Sequence, residues 1–185
     1  MAKRGRTSGG SVTGGTGDIK PQQLTMTSTN ITAADDYVVN NPVLPVPRFG
    51  TQKAKATIFE ILKVQWFFPR NRGDADAQQW AYLSTGTQRS SGDTATLATA
   101  VQDMNDPKSF AMAFLDAPQT TVGAFPVTID LTDSNGNGML IATDSLYVVA
   151  ANVSGTASEA ICKVFYRLVN VGITEYVGIV QSQQV

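Results

Sequence analysis

Beyond Lys53, apolar residues recur mostly at every second position, the period of a β-strand. The longest such run, ATIFEILKVQWFF (56–68), is apolar on both parities. Ile58, Leu62, Val64, Trp66 and Phe68 share one face by simple alternation, and Phe59, Ile61 and Phe67 share the other. That pattern predicts a central strand covered on both sides. Further strands are predicted over 78–85, 108–117, 124–131, 139–150, 160–169 and 173–182, and another over part of 24–40. Turn signals separate them at Ala117-Pro118, Ser134-Asn135-Gly136-Asn137-Gly138, Ser154-Gly155 and Val171-Gly172. In 160–169, Cys162, Val164, Tyr166 and Leu168 line one face, while Lys163 and Arg167 punctuate the other. The last stretch, ITEYVGIVQS (173–182), is expected to be a buried closing strand. One helix is predicted, over 93–104, with Asp93 as its cap, Leu97, Val101 and Met104 as its apolar stripe, and Pro107 beyond its end. Many strands with no βαβ rhythm point to an all-β sandwich or barrel.

The first 52 residues read differently. Residues 1–23 are basic, glycine-rich and nearly devoid of bulky apolar side chains, and are expected to form a flexible arm. Residues 24–52 contain Pro42, Pro45 and Pro47 and are expected to run as an extended arm along the outside of a sheet. The β domain is expected to occupy 53–185.

Composition sharpens this picture. Thr, Val and Ile together make up 48 of 185 residues, and all three favour strands. Charged residues are only 16% of the chain, against roughly 25% in typical soluble proteins. A surface so poor in charge points to extensive burial between subunits. The net charge of −1 conceals a split: residues 1–17 carry Lys3, Arg4 and Arg6 with no acid, for +3, and the remaining 11 bases and 15 acids give −4.

Chemistry is constrained by what is missing from the sequence. There is no histidine, which excludes Ser-His-Asp and Cys-His catalysis and histidine metal sites. The single cysteine, Cys162, excludes an intrachain disulfide and reads as a small hydrophobe within a strand. An enzyme is therefore not expected, nor is any cofactor or resident metal. The N-terminus is charged without an apolar core, so no secretory signal is expected, and no run is long enough to span a membrane.

The final third carries a resemblance. DLTDSNGNGMLIATDSLYVVAANV, followed by AICKVFYRLVNVGITEYVGIVQSQQ, is similar to the C-terminal half of capsid proteins from small circular single-stranded DNA viruses. The shared pattern is a glycine-rich turn, an ATD-x-L-Y strand, a K-x-x-Y-R strand and a terminal E-Y-x-G-I-V-Q-S-Q-Q, over roughly residues 128–184. The resemblance implies a single jelly-roll β-sandwich of two four-stranded antiparallel sheets, here with a short loop helix and a flexible N-terminal arm. It also implies a major capsid protein that self-assembles into an icosahedral shell around a genome, located in the virion and made in the host cell. The expected partners are further copies of the chain and packaged nucleic acid, single-stranded DNA by the resemblance, with no membrane. The arm departs from the family habit of dense arginine, having only three or four positive charges.

Candidate nucleic-acid contacts follow from charge. Lys3, Arg4, Arg6 and Lys20 lie in the arm, and Arg48, Lys53 and Lys55 where it meets the β domain. Seventeen flexible residues reach about 20–25 Å. Three phosphates per arm would bind weakly, but many copies would bind together. Lys63 has the parity of Lys53 and Lys55 and would extend a basic surface, unless these are edge-strand lysines that block pairing. Phe49 and Trp80 read as core before base-stacking residues. Arg72-Gly73-Asp74 fits a turn better than a receptor motif. Asp130, Asp133, Asn135 and Asn137 fail the EF-hand spacing and fit a tight Asx turn. Two rival readings remain: the coat protein of a small positive-strand RNA virus, and a non-viral oligomeric ligand-binding β-sandwich.

Overall fold

The computed structural model describes residues 21–31, 36–42, 55–68, 76–86, 89–118, 126–143, 145–153 and 158–184. Among the described residues, nine strands and two helices follow in chain order: β1 (Gln22–Ile31), β2 (Asp36–Asn40), β3 (Lys55–Phe67), β4 (Asp76–Ser84), α1 (Leu97–Asn105), β5 (Ser109–Pro118), β6 (Val127–Asp130), β7 (Met139–Ile141), β8 (Tyr147–Val153), β9 (Ser158–Gly172) and α2 (Ile173–Gln184). One antiparallel sheet runs β1-β9-β3-β6, with β7 also on β3; the other runs β2-β8-β4-β5. The segment read as an extended arm thus supplies β1 and β2, an edge strand to each sheet.

β6 and β7 lie end to end along one edge of β3. Lys63 to Trp66 pair with Asp130 to Val127, and Phe59 to Ile61 pair with Ile141 to Met139. The Leu131 N–H donates to the Leu62 carbonyl between them at 2.9 Å. Counted as one interrupted strand, they leave eight strands, ordered first–eighth–third–sixth and second–seventh–fourth–fifth. The chain alternates between the sheets except at one hairpin, β4–β5, as in a jelly roll. The five-strand count of the first sheet, where four were expected, comes from this interruption.

The inner faces of the two sheets enclose the main core, with Trp66, Phe68, Val64, Leu83, Ile141, Leu146, Val148 and Cys162 all nearly or wholly buried. Trp66 satisfies its indole by donating Nε1–H to the Ala111 carbonyl at 2.7 Å, and Ala111 takes φ 52°. Burial pushes the Cys162 thiol far above its ordinary range, so it behaves as a small core hydrophobe, as its strand position predicts.

Three sequence expectations are corrected. First, β3 slips in register against β9 between Ile61 and Lys63, a bulge at Leu62. Phe59 and Ile61 therefore share the inner core with Val64, Trp66 and Phe68, while Ile58 turns outward. One extra residue inverts the parity of everything beyond it. Second, 139–150 is not one strand: β7 and β8 belong to different sheets. Third, 173–182 is helical and not a closing strand. β9 already fills the place between β1 and β3. Tyr176, Ile179 and Val180, spaced at three and four, pack instead on Ala56, Ile58, Leu140, Ala142, Val169 and Val171. α2 thereby covers part of the outer face of the first sheet.

Candidate assembly surface

The predicted nucleic-acid residues divide. Lys3, Arg4, Arg6, Lys20, Arg48 and Lys53 lie outside the described residues, as do Phe49 and Arg72-Gly73-Asp74. Lys55 opens β3, exposed, opposite Gly172. The expectation that Lys63 extends its surface is overturned, because the bulge at Leu62 reverses parity between them. Lys63 stands instead over the Phe165 ring, with its ammonium 4.7 Å from the centroid. Trp80 is wholly buried and is a packing residue.

The glycine-rich turn that carries part of the sequence resemblance is held from several sides. Asp133 accepts N–H bonds from Asn135 and Asn137, both at 2.8 Å, and the Asn137 amide at 3.2 Å. Asp130 accepts from the Thr132 N–H at 2.9 Å and its hydroxyl at 2.6 Å. These bonds hold both carboxyls below the usual carboxylate range, and they fit the tight-turn reading of the cluster.

Beneath the turn, Glu60 is buried on β3. It accepts the Gly138 N–H at 2.6 Å and a two-pronged bond from Arg167 at 2.6 and 2.7 Å. Burial pushes its carboxyl up, but the bonds from Arg167 and Gly138 outweigh this and hold it below the usual range. Arg167 also donates to the Gly136 carbonyl at 3.3 Å. Farther along, the Gln183 side chain of α2 donates to the Leu140 carbonyl at 2.6 Å and accepts the Ala142 N–H at 3.1 Å. Arg167 of K-x-x-Y-R and Gln183 of the terminal Q-S-Q-Q thus fasten the glycine turn and β7 to the sheet. The motif residues here do structural work.

A second network anchors α1 on the outer face of the other sheet. Thr96 caps the helix and exchanges bonds with Thr99 in a capping box. Asp93, expected as the cap, instead accepts the Ser90 N–H at 2.7 Å. Asp103 faces inward, buried. It accepts from the Tyr37 hydroxyl, from Trp80 Nε1–H at 3.2 Å and from Arg89 Nε–H at 2.8 Å. Tyr37 and Trp80 meet edge to face with ring centroids 5.8 Å apart. Burial, then the bond to Asp103, pushes the Tyr37 phenol far above its ordinary range, so it stays a donor. Asp103→Ala would take the shared acceptor from all three, leaving the buried Trp80 Nε1–H without it while Tyr37 keeps Thr99 and Arg89 keeps Gln102. Its expected cost is about 3 kcal/mol, read as a fall in melting temperature of roughly 6–12 °C by circular dichroism.

The anchoring sets the outward face of α1. Leu97, Val101 and Met104, the stripe read from the sequence, are 50%, 58% and 64% exposed. Sequence reasoning found the stripe but missed the buried side, because Ala100 and Asp103 do not look like core. Phe114 of β5, stacked on Trp80, is also partly exposed, at 43%. Among the described residues, no group of three or more metal-capable side chains converges.

No protein-family model matches the chain, and no curated protein sequence does. Solved structures do. The VP1 pentamer of human polyomavirus 6 is similar with a TM-score of 0.55 and 9% identity, over 83% of this chain and 96% of that one. The VP1 pentamer of human polyomavirus 7 gives 0.53 and 12%, over 82% and 95%. VP1 of trichodysplasia spinulosa-associated polyomavirus, solved in complex with GM1 oligosaccharide, gives 0.51 and 11%, over 85% and 96%. At such identities the likeness is one of fold: the chain is a jelly roll of the kind these viral proteins have.

Proposed function

We propose that the chain is a viral major capsid protein that assembles with copies of itself into a closed icosahedral shell. The observation that carries this is the superposition of its sandwich on viral VP1 capsid proteins over nearly their whole length. The resemblance of residues 128–184 to single-stranded DNA virus capsid proteins supports it independently. In this reading the jelly roll is a rigid wedge, and its charge-poor surface is covered by neighbours. The packaged genome is single-stranded DNA, a point that rests on the sequence resemblance.

Lys3, Arg4 and Arg6, with Lys20, Arg48, Lys53 and Lys55 behind them, contact that genome by charge, without reading sequence. Each arm is weak, with a salt slope of only about −2 on single strands. Many copies on one strand supply the avidity. The test is the nuclease-treated 260/280 nm absorbance ratio of purified particles with and without residues 1–17. Protected nucleic acid that disappears on deletion supports the assignment of the arm. Equal protection with the deletion removes the arm from genome binding. A chain that forms small oligomers and no shells favours the ligand-binding sandwich instead.

A further inference from the structure

Resting on that reading, we propose that the outward face of α1 is a self-complementary seam that pairs antiparallel with α1 of a second copy across a two-fold axis of the shell. The helix is not free to turn its apolar stripe inward. Its rotation is set by Asp103, which is held from β2, β4 and Arg89, and by Ala100 packed among Tyr37, Trp80, Tyr82, Val149 and Ala151. Its start is set by the Thr96–Thr99 capping box. The exposure of Leu97, Val101 and Met104 is therefore built into the fold.

The stripe also has the form of a helix-pairing seam. Its spacing is four then three, the alternation by which one helix packs along another. Val101 lies near the middle. In an antiparallel pair with Val101 against its own copy, Leu97 of each helix comes opposite Met104 of the other. A two-fold contact sets every group against its own kind, so a charge near the axis would repel itself. α1 meets that condition. Its only charged residue is Asp103, which is buried and paired with Arg89. The other exposed residues, Ala98, Gln102 and Asn105, are neutral.

The area says where the seam would act. Three half-exposed side chains offer roughly 300 Å² per copy, well short of the ~800 Å² per partner of a stable isolated interface. The seam is thus one contact of a multivalent shell and not a dimer interface in dilute solution.

The test compares the full-length chain with Val101→Lys and Val101→Cys. Lysine is at least as good a helix former as valine, so Val101→Lys is expected to keep the wild-type circular dichroism spectrum and melting temperature. It is expected to reduce the yield of closed particles more than about tenfold, by facing two desolvated ammonium groups. Cys162 is buried, so in Val101→Cys particles only the introduced thiol meets a short thiol cross-linker, and covalent dimers are expected. Mixed particles of Leu97→Cys and Met104→Cys chains are expected to cross-link, and particles of either alone are not. Wild-type particles together with normal Val101→Lys particles overturn the seam and leave the capsid reading standing. Loss of assembly in Val101→Lys without cross-linking in Val101→Cys overturns self-pairing and assigns the stripe to a different surface. A wild-type chain that forms no particles overturns the capsid reading and the seam with it.

Discussion

Arg167→Ala is expected to destabilise the fold by about 3 kcal/mol at pH 7, because it leaves the buried Glu60 carboxylate without its counter-charge. Glu60 would keep only the Gly138 N–H of its present partners, and the Gly136 carbonyl would lose its guanidinium donor. Water reaches the partly exposed Arg167 side chain, which places the loss toward the lower end for broken buried pairs. Replacing both partners, Glu60→Leu with Arg167→Met, removes the orphaned charge and is expected to cost much less than Arg167→Ala alone. The pH dependence carries a sign. The folded state holds the Glu60 carboxyl below its usual value of 4.5. The pair's contribution is therefore fully present above that value and is lost as pH falls through the folded one. In Arg167→Ala, burial dominates and raises the same carboxyl, so acid relieves the variant. The stability gap between wild type and variant, followed by urea unfolding, is expected to be widest near neutrality, to begin narrowing above 4.5 as the variant's raised carboxyl takes up its proton, and to narrow further below 4.5 as the wild-type pair is lost. A gap independent of pH would mean that Arg167 contributes by packing and not through Glu60.

Gly138→Ala is expected to be as damaging, for a steric reason. A Cβ at this position would lie 2.2 Å from the Ile61 carbonyl oxygen and 2.8 Å from its carbon. Both are backbone atoms in the middle of β3, and no side-chain rotation relieves the overlap. β7 would have to lift away from Phe59 to Ile61, weakening its pairing and the Gly138 bond to Glu60. The expected cost is about 3 kcal/mol. Gly136 is the control. It takes φ +77° but has nothing within 4 Å of an added Cβ, so Gly136→Ala is expected to cost only about 1 kcal/mol of backbone strain. Equal losses in the two variants, measured by chemical denaturation, would contradict the close approach at Gly138.

Most strands were legible because their alternation survives in the sequence. β3, β4, β5, β6 and β9 fall on the predicted stretches, and α1 begins within a few residues of the predicted start because capping residues and Pro107 bracket it. What was not legible depended on contacts distant in sequence. The bulge at Leu62 has no local signature, so simple alternation put Lys63 with Lys55 when the two lie on opposite faces of the sheet. The stretch 173–182 has Ile, Val and Thr enough to read as a strand, yet its apolar residues also recur at three and four. The sheet had no vacancy between β1 and β3, and the helical reading prevailed. Asp103 looks like a surface residue until Tyr37, 66 positions earlier, reaches it. The basic residues of the arm were legible as charge alone, and of the candidate nucleic-acid residues only Lys55, at the start of β3, lies among the described ones.

The role proposed for this jelly roll is to enclose a genome in a closed shell. It is tested most directly by light scattering of the purified full-length chain behind a sizing column, with negative-stain imaging of the eluted peak. The account predicts a monodisperse species of many copies, seen as uniform closed spheres. A monomer or small ring that stays so across salt and pH would contradict it.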